Sequence, residues 1–446
     1  MRVLFLILFC IHFAHAQSPV TIIQSIKAIN KGLADMACST GKGQLISNRA
    51  MNLFLANKVG SYLSGGEDLS YYKNNITFRS VDGELTVNHS LFQASGKDVP
   101  ITQFIVVGVK ANILNAFAAN SNGSHFTNEL GFTVRKTWIG KTYTSFQKCE
   151  HVVNVDNKAV DQKYAMDVLR AIIIHDMEAS ISNKFNDFEK SLNALESDEL
   201  PGQNLEQAKF LARSKFMTEL QENASRQFAA LQAAALIATN NYKSINTSWT
   251  SVSTYIPLIR EKFLVAETYS DDFKNQFGYP ASFSLSHTRF WENTSSGRLF
   301  FTISGRLLWN NSSHSESLEK VTLAEYRLHG GRDTNQLAQL SQHSAFIGPF
   351  NNFLTTGIAG KIVYIPPDWH FGVTLILEQN FGSFKVLNGV FGIPIVLITK
   401  NGEPSVNLEF QFRYYDISRS QQEQKSLSDK TSIGITLGIP FSKVVY

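Results

Sequence analysis

Between Ser405 and Ile417 apolar and polar residues alternate without a break: Val406, Leu408, Phe410, Phe412 and Tyr414 are apolar, and Asn407, Glu409, Gln411 and Arg413 lie between them. Successive side chains of a β-strand point to opposite faces, so the stretch predicts a strand with one apolar and one polar face. The same period of two appears from about Asn75. Leu85 and Val87 oppose Thr86 and Asn88; Ile105, Val107 and Val109 oppose Gly108, Lys110 and Asn112; Phe132 and Val134 oppose Thr133 and Arg135. It returns at Tyr279, where Leu299, Phe301, Ile303 and Leu307 oppose Thr302, Ser304 and Arg306, and Val373, Leu375 and Leu377 oppose Thr374 and Glu378. About ten strands are expected, possibly twelve.

Two segments follow another rhythm. Residues 17–74 carry apolar residues at spacings of three and four, as in IIQSIKAINKGLADMA, and predict a short helical segment ending near Gly65-Gly66. Residues 150–278 read as a helical insertion, two long Ala-rich and charge-studded helices separated by Leu200-Pro201-Gly202. An antiparallel hairpin on the order of 50 Å long is the simplest arrangement. The strands then divide into 75–149 and 279–446.

An alternating strand suits either a soluble sandwich or a membrane barrel with a wet interior, and the connections favour the barrel. Counted back from the C-terminus, the long links 310–353 and 417–431 fall on one end, and short links fall on the other. That is the habit of outer-membrane barrels, whose long loops face outward. On this count the helical insertion also falls on the outer end, an assignment that one further strand would reverse. Lys110, Arg135, Arg306, Glu378, Asn407, Glu409, Gln411 and Arg413 share the polar face and are the expected lumen residues. Trp138, Trp291, Trp309, Tyr364, Trp369, Tyr414 and Tyr415 near strand ends fit interfacial girdles. The fold class expected is a mainly β transmembrane antiparallel barrel with the helical hairpin inserted and a helical N-terminal segment.

The last strand, with Ile433, Ile435, Leu437, Ile439 and Phe441 on one face, resembles the C-terminal strand of outer-membrane β-barrel proteins, although the chain continues to Tyr446. With the leader below and the Phe- and Asn-rich strands, the chain resembles outer-membrane barrels of the Bacteroidota type. The resemblance implies the outer membrane as location and the lipid bilayer as partner.

MRVLFLILFCIHFAHAQ has the charged, apolar and small-residue order of a secretory signal peptide, with cleavage expected after Ala16. Hydrophobic residues make up 43% of the 446, and no later apolar run is long enough for a membrane helix. A net charge of +4 without a Lys/Arg block gives no nucleic-acid footprint. Cys38 and Cys149 could pair in an oxidising compartment. No metal or cofactor spacing is present.

A rival class is an outer-membrane hydrolase of lipase or protease type. His89-Ser90 and Ser286-His287 cannot form a dyad, because neighbours on a strand face apart. His314, His329 and His343 share the 310–353 segment with Glu316, Glu319 and Asp333, without a fixed ligand or catalytic spacing. The function expected is a non-enzymatic pore, transport component or scaffold whose loops and helices bind a partner or drive oligomerisation. A secreted or periplasmic soluble β protein is the other alternative.

Overall fold

The computed structural model describes residues 18–34, 46–60, 74–80, 84–91, 100–112, 130–146, 152–155, 158–194, 204–238, 242–258, 260–315, 317–331, 334–398, 404–418 and 431–440. The leader, Cys38 and Cys149 lie outside the described residues, as does the tail beyond Pro440.

Twelve antiparallel strands form a closed ring: β1 (Asn75–Arg79), β2 (Glu84–Ser90), β3 (Gln103–Asn112), β4 (Gly131–Ile139), β5 (Tyr242–Pro257), β6 (Ser282–Asn293), β7 (Gly297–Asn311), β8 (Asn352–Ile365), β9 (Val373–Gly382), β10 (Leu387–Ile398), β11 (Pro404–Tyr414) and β12 (Thr431–Pro440). Each pairs with its neighbour in sequence, and β12 pairs with β1 from Asn75↔Pro440 to Arg79↔Thr436. The upper figure of the expected range is therefore the right one. The two additions are β1 and β5. Strand β5, YKSINTSWTSVSTYIP, carries Ser, Thr or Asn on both faces, so it lacks the apolar stripe that marks the other strands.

Counting β5 reverses one expectation. The helical insertion ends at Ala238 instead of 278, and it joins β4 to β5 at the same end of the barrel as the N-terminal helices and the end of β12. We call this the termini end. The 310–353 segment is also more ordered in outline than a loop. Glu319–Gly331 and Thr334–Ile347 form a long hairpin at the far end, in a four-stranded sheet with Glu261–Ala266 and Lys274–Gly278.

Among the described residues four helices stand at the termini end: α1 (Pro19–Ala34), α2 (Asn48–Gly60), α3 (Gln162–Asn193) and α4 (Asn204–Ala238). No helix of the described residues is long and apolar enough to cross a membrane. Ser18 and Ser47 cap α1 and α2, each hydroxyl accepting from a backbone N–H three residues on. Ile174, Met177 and Ile181 of α3 and Met217, Leu220, Ala224 and Phe228 of α4 recur at helical spacing and bury one seam with Ile22, Ile23 and Ile26 of α1. Phe188 and Phe216 stack at 3.9 Å between centroids. Beside them Arg213 clasps Glu189 through two hydrogen bonds of 2.6 and 2.7 Å.

Two tests follow from the helical seam. Phe228→Ala opens a cavity at a fully packed position and should lower bundle stability by about 3 kcal/mol or more, read from helical circular dichroism on heating. Glu189 is held below its ordinary 4.5, first by the hydrogen bond from Arg213. Its small stabilising contribution is present above that value and fades as pH falls below it; the pair is half-exposed and open to solvent screening, so it is worth under about 1 kcal/mol. Arg213→Ala should remove that part of the acid slope.

Candidate functional site

The barrel is inverted relative to a soluble protein. Outward positions are apolar and exposed on most strands: Val109 and Val134, Leu285, Ile303 and Leu307, Ile358 and Ile362, Leu375 and Leu377, Phe410, Ile433. Inward positions are polar and buried: Thr77, Thr86, Thr137, Ser251, Thr288, Thr302, Thr374, Thr436. Aromatic residues gather outside at both ends. Trp138, Tyr364 and Trp369 lie at the termini end, and Phe132, Phe283, Trp309 and Tyr414 at the far end. Polar positions interrupt the outer wall at His89, at Lys136 and Arg289, which lie over Trp138 and Trp291, and at a notch where Thr250 of β5 meets His287 of β6 at 2.9 Å.

Of the expected lumen residues, Asn407, Glu409 and Gln411 of β11 are at most 3% exposed, while Phe410 between them is on the outer surface. Glu409 fits because Gly392, on the next strand, has no side chain; a Cβ there would overlap the carboxylate. Arg413 donates to the Gln411 amide oxygen at 2.9 Å. Lys110 of β3 bonds Glu84 at 2.7 Å. Arg306 of β7 reaches across β8, over Gly357, to pair with Glu378 of β9. Arg135 of β4 shares the inward phase with Thr137. The eight residues are thus spread over five strands and are not gathered into one cluster.

The sequence reading missed five inward charges, Arg79, Glu84, Glu292, Arg298 and Lys361. Arg79 and Glu84 stand in phase with the polar Thr77 and Thr86, so phase alone could have found them, whereas Lys361 stands in phase with the apolar Ala359 and Val363. Hydroxyl pairs complete the lining: Thr137 with Ser251 at 2.8 Å, Thr288 with Thr302 at 2.9 Å and Ser253 with Ser284 at 2.6 Å.

At the termini end the inner wall turns apolar. Phe104 and Val106, Trp249, Phe290, Phe300, Val363, Ile365 and Val396 are buried together with Phe54, Leu55 and Val59 of α2. Helix α2 therefore sits in the mouth of the barrel as a stopper. It touches the wall at several points: Asn52 accepts from the Ile101 N–H at 3.3 Å, Met51 lies 3.9 Å from the Thr144 hydroxyl, and Phe54 meets Tyr242 edge-on at 5.2 Å. From outside the barrel, Gln232 of α4 accepts from the Ser47 N–H at 2.8 Å.

One charged knot fastens the stopper. Lys58 donates to Tyr242 at 2.8 Å and to Glu292 of β6 at 3.0 Å, and Arg298 of β7 donates to the same carboxylate oxygen at 3.1 Å. Glu292 is 4% exposed. Burial pushes the Lys58 ammonium below its ordinary value, against the pull of Glu292. Nothing in the alternation pattern could announce this knot, because Lys58 belongs to a helix and its partners lie more than 180 residues away.

The histidines of the rival hydrolase reading are not brought together. His314 pairs with the buried Glu261 and packs edge-on against Phe263 at 5.6 Å. His329 and His343 stand opposite Gln336 and Leu323, six pairs apart along their hairpin, about 20 Å. His287 and His89 face outward. No group of three or more potential metal ligands occurs among the described residues.

A closed barrel with a polar interior and a helix in one mouth is the class of structure defined. No protein family model matches the sequence, and no curated protein matches it. Among solved structures, the NanC porin in a rhombohedral crystal form is similar at 7% identity and a TM-score of 0.27, covering 83% of this chain and 99% of that chain. OmpT, an outer membrane protein of Vibrio cholerae folded in vitro, is similar at 7% identity and a TM-score of 0.22, covering 82% of this chain and 94% of that chain.

Glu292→Gln tests the knot. It leaves Lys58 and Arg298 buried without their counter-charge, at a cost of roughly 3 kcal/mol or more. Protease cleavage within residues 35–60 should accelerate while the barrel core stays resistant.

Proposed function

We propose that the protein is an outer-membrane β-barrel that serves as a narrow pore or transport component, closed in the state described by helix α2. The observation that carries this is the inversion of the ring, with an outer face that is apolar on most strands and an inner face lined by buried polar side chains beyond the apolar seal. Such a surface is stable against lipid and costly against water. In lipid, backbone polar groups must be satisfied internally, and a closed ring does so without an edge.

The reading assigns Met1–Ala16 to export and the termini end to the periplasm, so that the short links face inward and the two strand-bearing loops outward. It agrees with the Bacteroidota-type resemblance of the leader and strands. The helical insertion then stands in the periplasm, where Ile172 of α3 and Phe210 and Leu211 of α4 are exposed apolar positions that a protein partner could cover.

The membrane part is tested by fractionation. The folded protein should partition with the outer membrane and show heat-modifiable mobility, whereas recovery in the aqueous fraction without detergent would sink the reading. The closure part is tested in reconstituted bilayers. Phe54→Asp places a carboxylate in the apolar seal and should raise conductance severalfold with heat modifiability retained; unchanged conductance would remove α2 from the role of stopper.

A further inference from the structure

The inner wall is not electrically balanced. Seven cationic side chains, Arg79, Lys110, Arg135, Arg298, Arg306, Lys361 and Arg413, share the inward phase among the described strand residues. Four carboxylates, Glu84, Glu292, Glu378 and Glu409, oppose them. Glu84 takes both Lys110 and Arg79, at 2.7 and 3.5 Å.

Lys361 differs from the rest. It faces Thr302 of β7 and Ile376 of β9 in register, and no side chain of the described residues bonds to its ammonium. The hydroxyl of Thr302 is held beside it by Thr288. One step toward the termini end the wall becomes the apolar seal, with Phe300 and Val363 each 1% exposed. A half-buried ammonium with no bonded side chain among the described residues therefore stands beside a buried hydroxyl pair, on the floor that the apolar seal makes.

We propose that the lumen selects small oxyanions, inorganic phosphate or compact organic carboxylates, and that Lys361 with the Thr288–Thr302 hydroxyls forms the recognition point at the floor. The inference rests on the pore reading above and names the class of solute. Surplus positive charge behind low-dielectric walls concentrates anions and repels cations. Spherical anions would need only the charge. An oxyanion also uses its several acceptor oxygens, one on the ammonium and others on hydroxyls, in charge-assisted and neutral hydrogen bonds.

The test uses the full chain in two measurements. In planar bilayers under a KCl gradient, the reversal potential should report preference for chloride over potassium. Lys361→Glu should move the permeability ratio toward potassium by roughly tenfold, and Lys361→Gln, which keeps the stem, by less. In detergent, inorganic phosphate should slow acylation of Lys361 by an amine-reactive reagent and leave the exposed Lys184 of α3 unaffected. Channels that conduct without anion preference, or whose preference ignores Lys361→Glu, overturn the oxyanion assignment and leave the pore intact. Absence of conductance in every variant overturns the pore reading, and the assignment is then decided by acylation: protection of Lys361 upholds it, and equal rates with and without phosphate overturn it.

Discussion

An apolar outer surface offers no hydrogen bonds, so each N–H and C=O of the wall must find its partner in a neighbouring strand. The pairing of β12 with β1 meets this demand, because it removes the two edges an open sheet of this size would present. Much else follows from closure. A ring creates an inside, and the inside must be filled or wetted. Here it is both: side chains and α2 fill the termini end, and hydroxyls, amides and charges line the remainder. The paired hydroxyls of Thr137–Ser251 and Thr288–Thr302 satisfy one another across strands where a wall of aliphatic residues would have excluded water.

The gradient along the axis is the feature that gives the barrel a direction. Phe290, Phe300, Val363 and Val396 make one end accept an apolar helix, while Arg306, Glu378, Gln411 and Arg413 make the other end polar and charged. Helix α2 could not seat among the charges, and Arg306 could not be buried among the phenylalanines without a partner. The knot of Lys58, Tyr242, Glu292 and Arg298 lies at the seal's edge, where desolvated charges hold together only because each has its neighbour.

Much of this was legible in the chain. The alternation of Val406 to Arg413 and its relatives gave ten strands and the faces of most inward charges, since a period of two is set by backbone geometry alone. Strand β5 was not legible. A strand whose faces both carry Ser and Thr produces no contrast, and its omission moved the helical insertion to the wrong end. Lys361 hid for a related reason: Gly360, Ile362 and Val363 around it read as apolar, so one charge did not mark the phase. The stopper was beyond reach altogether. The stripe of Ala50, Met51, Phe54, Leu55 and Val59 predicts a buried helix face, but that the burial takes place inside a barrel depends on contacts with β3, β5, β6 and β7, which no local pattern encodes.

The order of the chain gives α2 a particular history. It precedes every strand, yet its binding site is a ring made from residues up to Val396, so the first-made element has nowhere to go until nearly the last is in place. An amphipathic helix must therefore wait with its apolar stripe uncovered while the wall assembles, and a mouth that seals only at the end is a mouth that stays passable during assembly. A seated α2 is thus the sign of a wall assembled at least as far as β10.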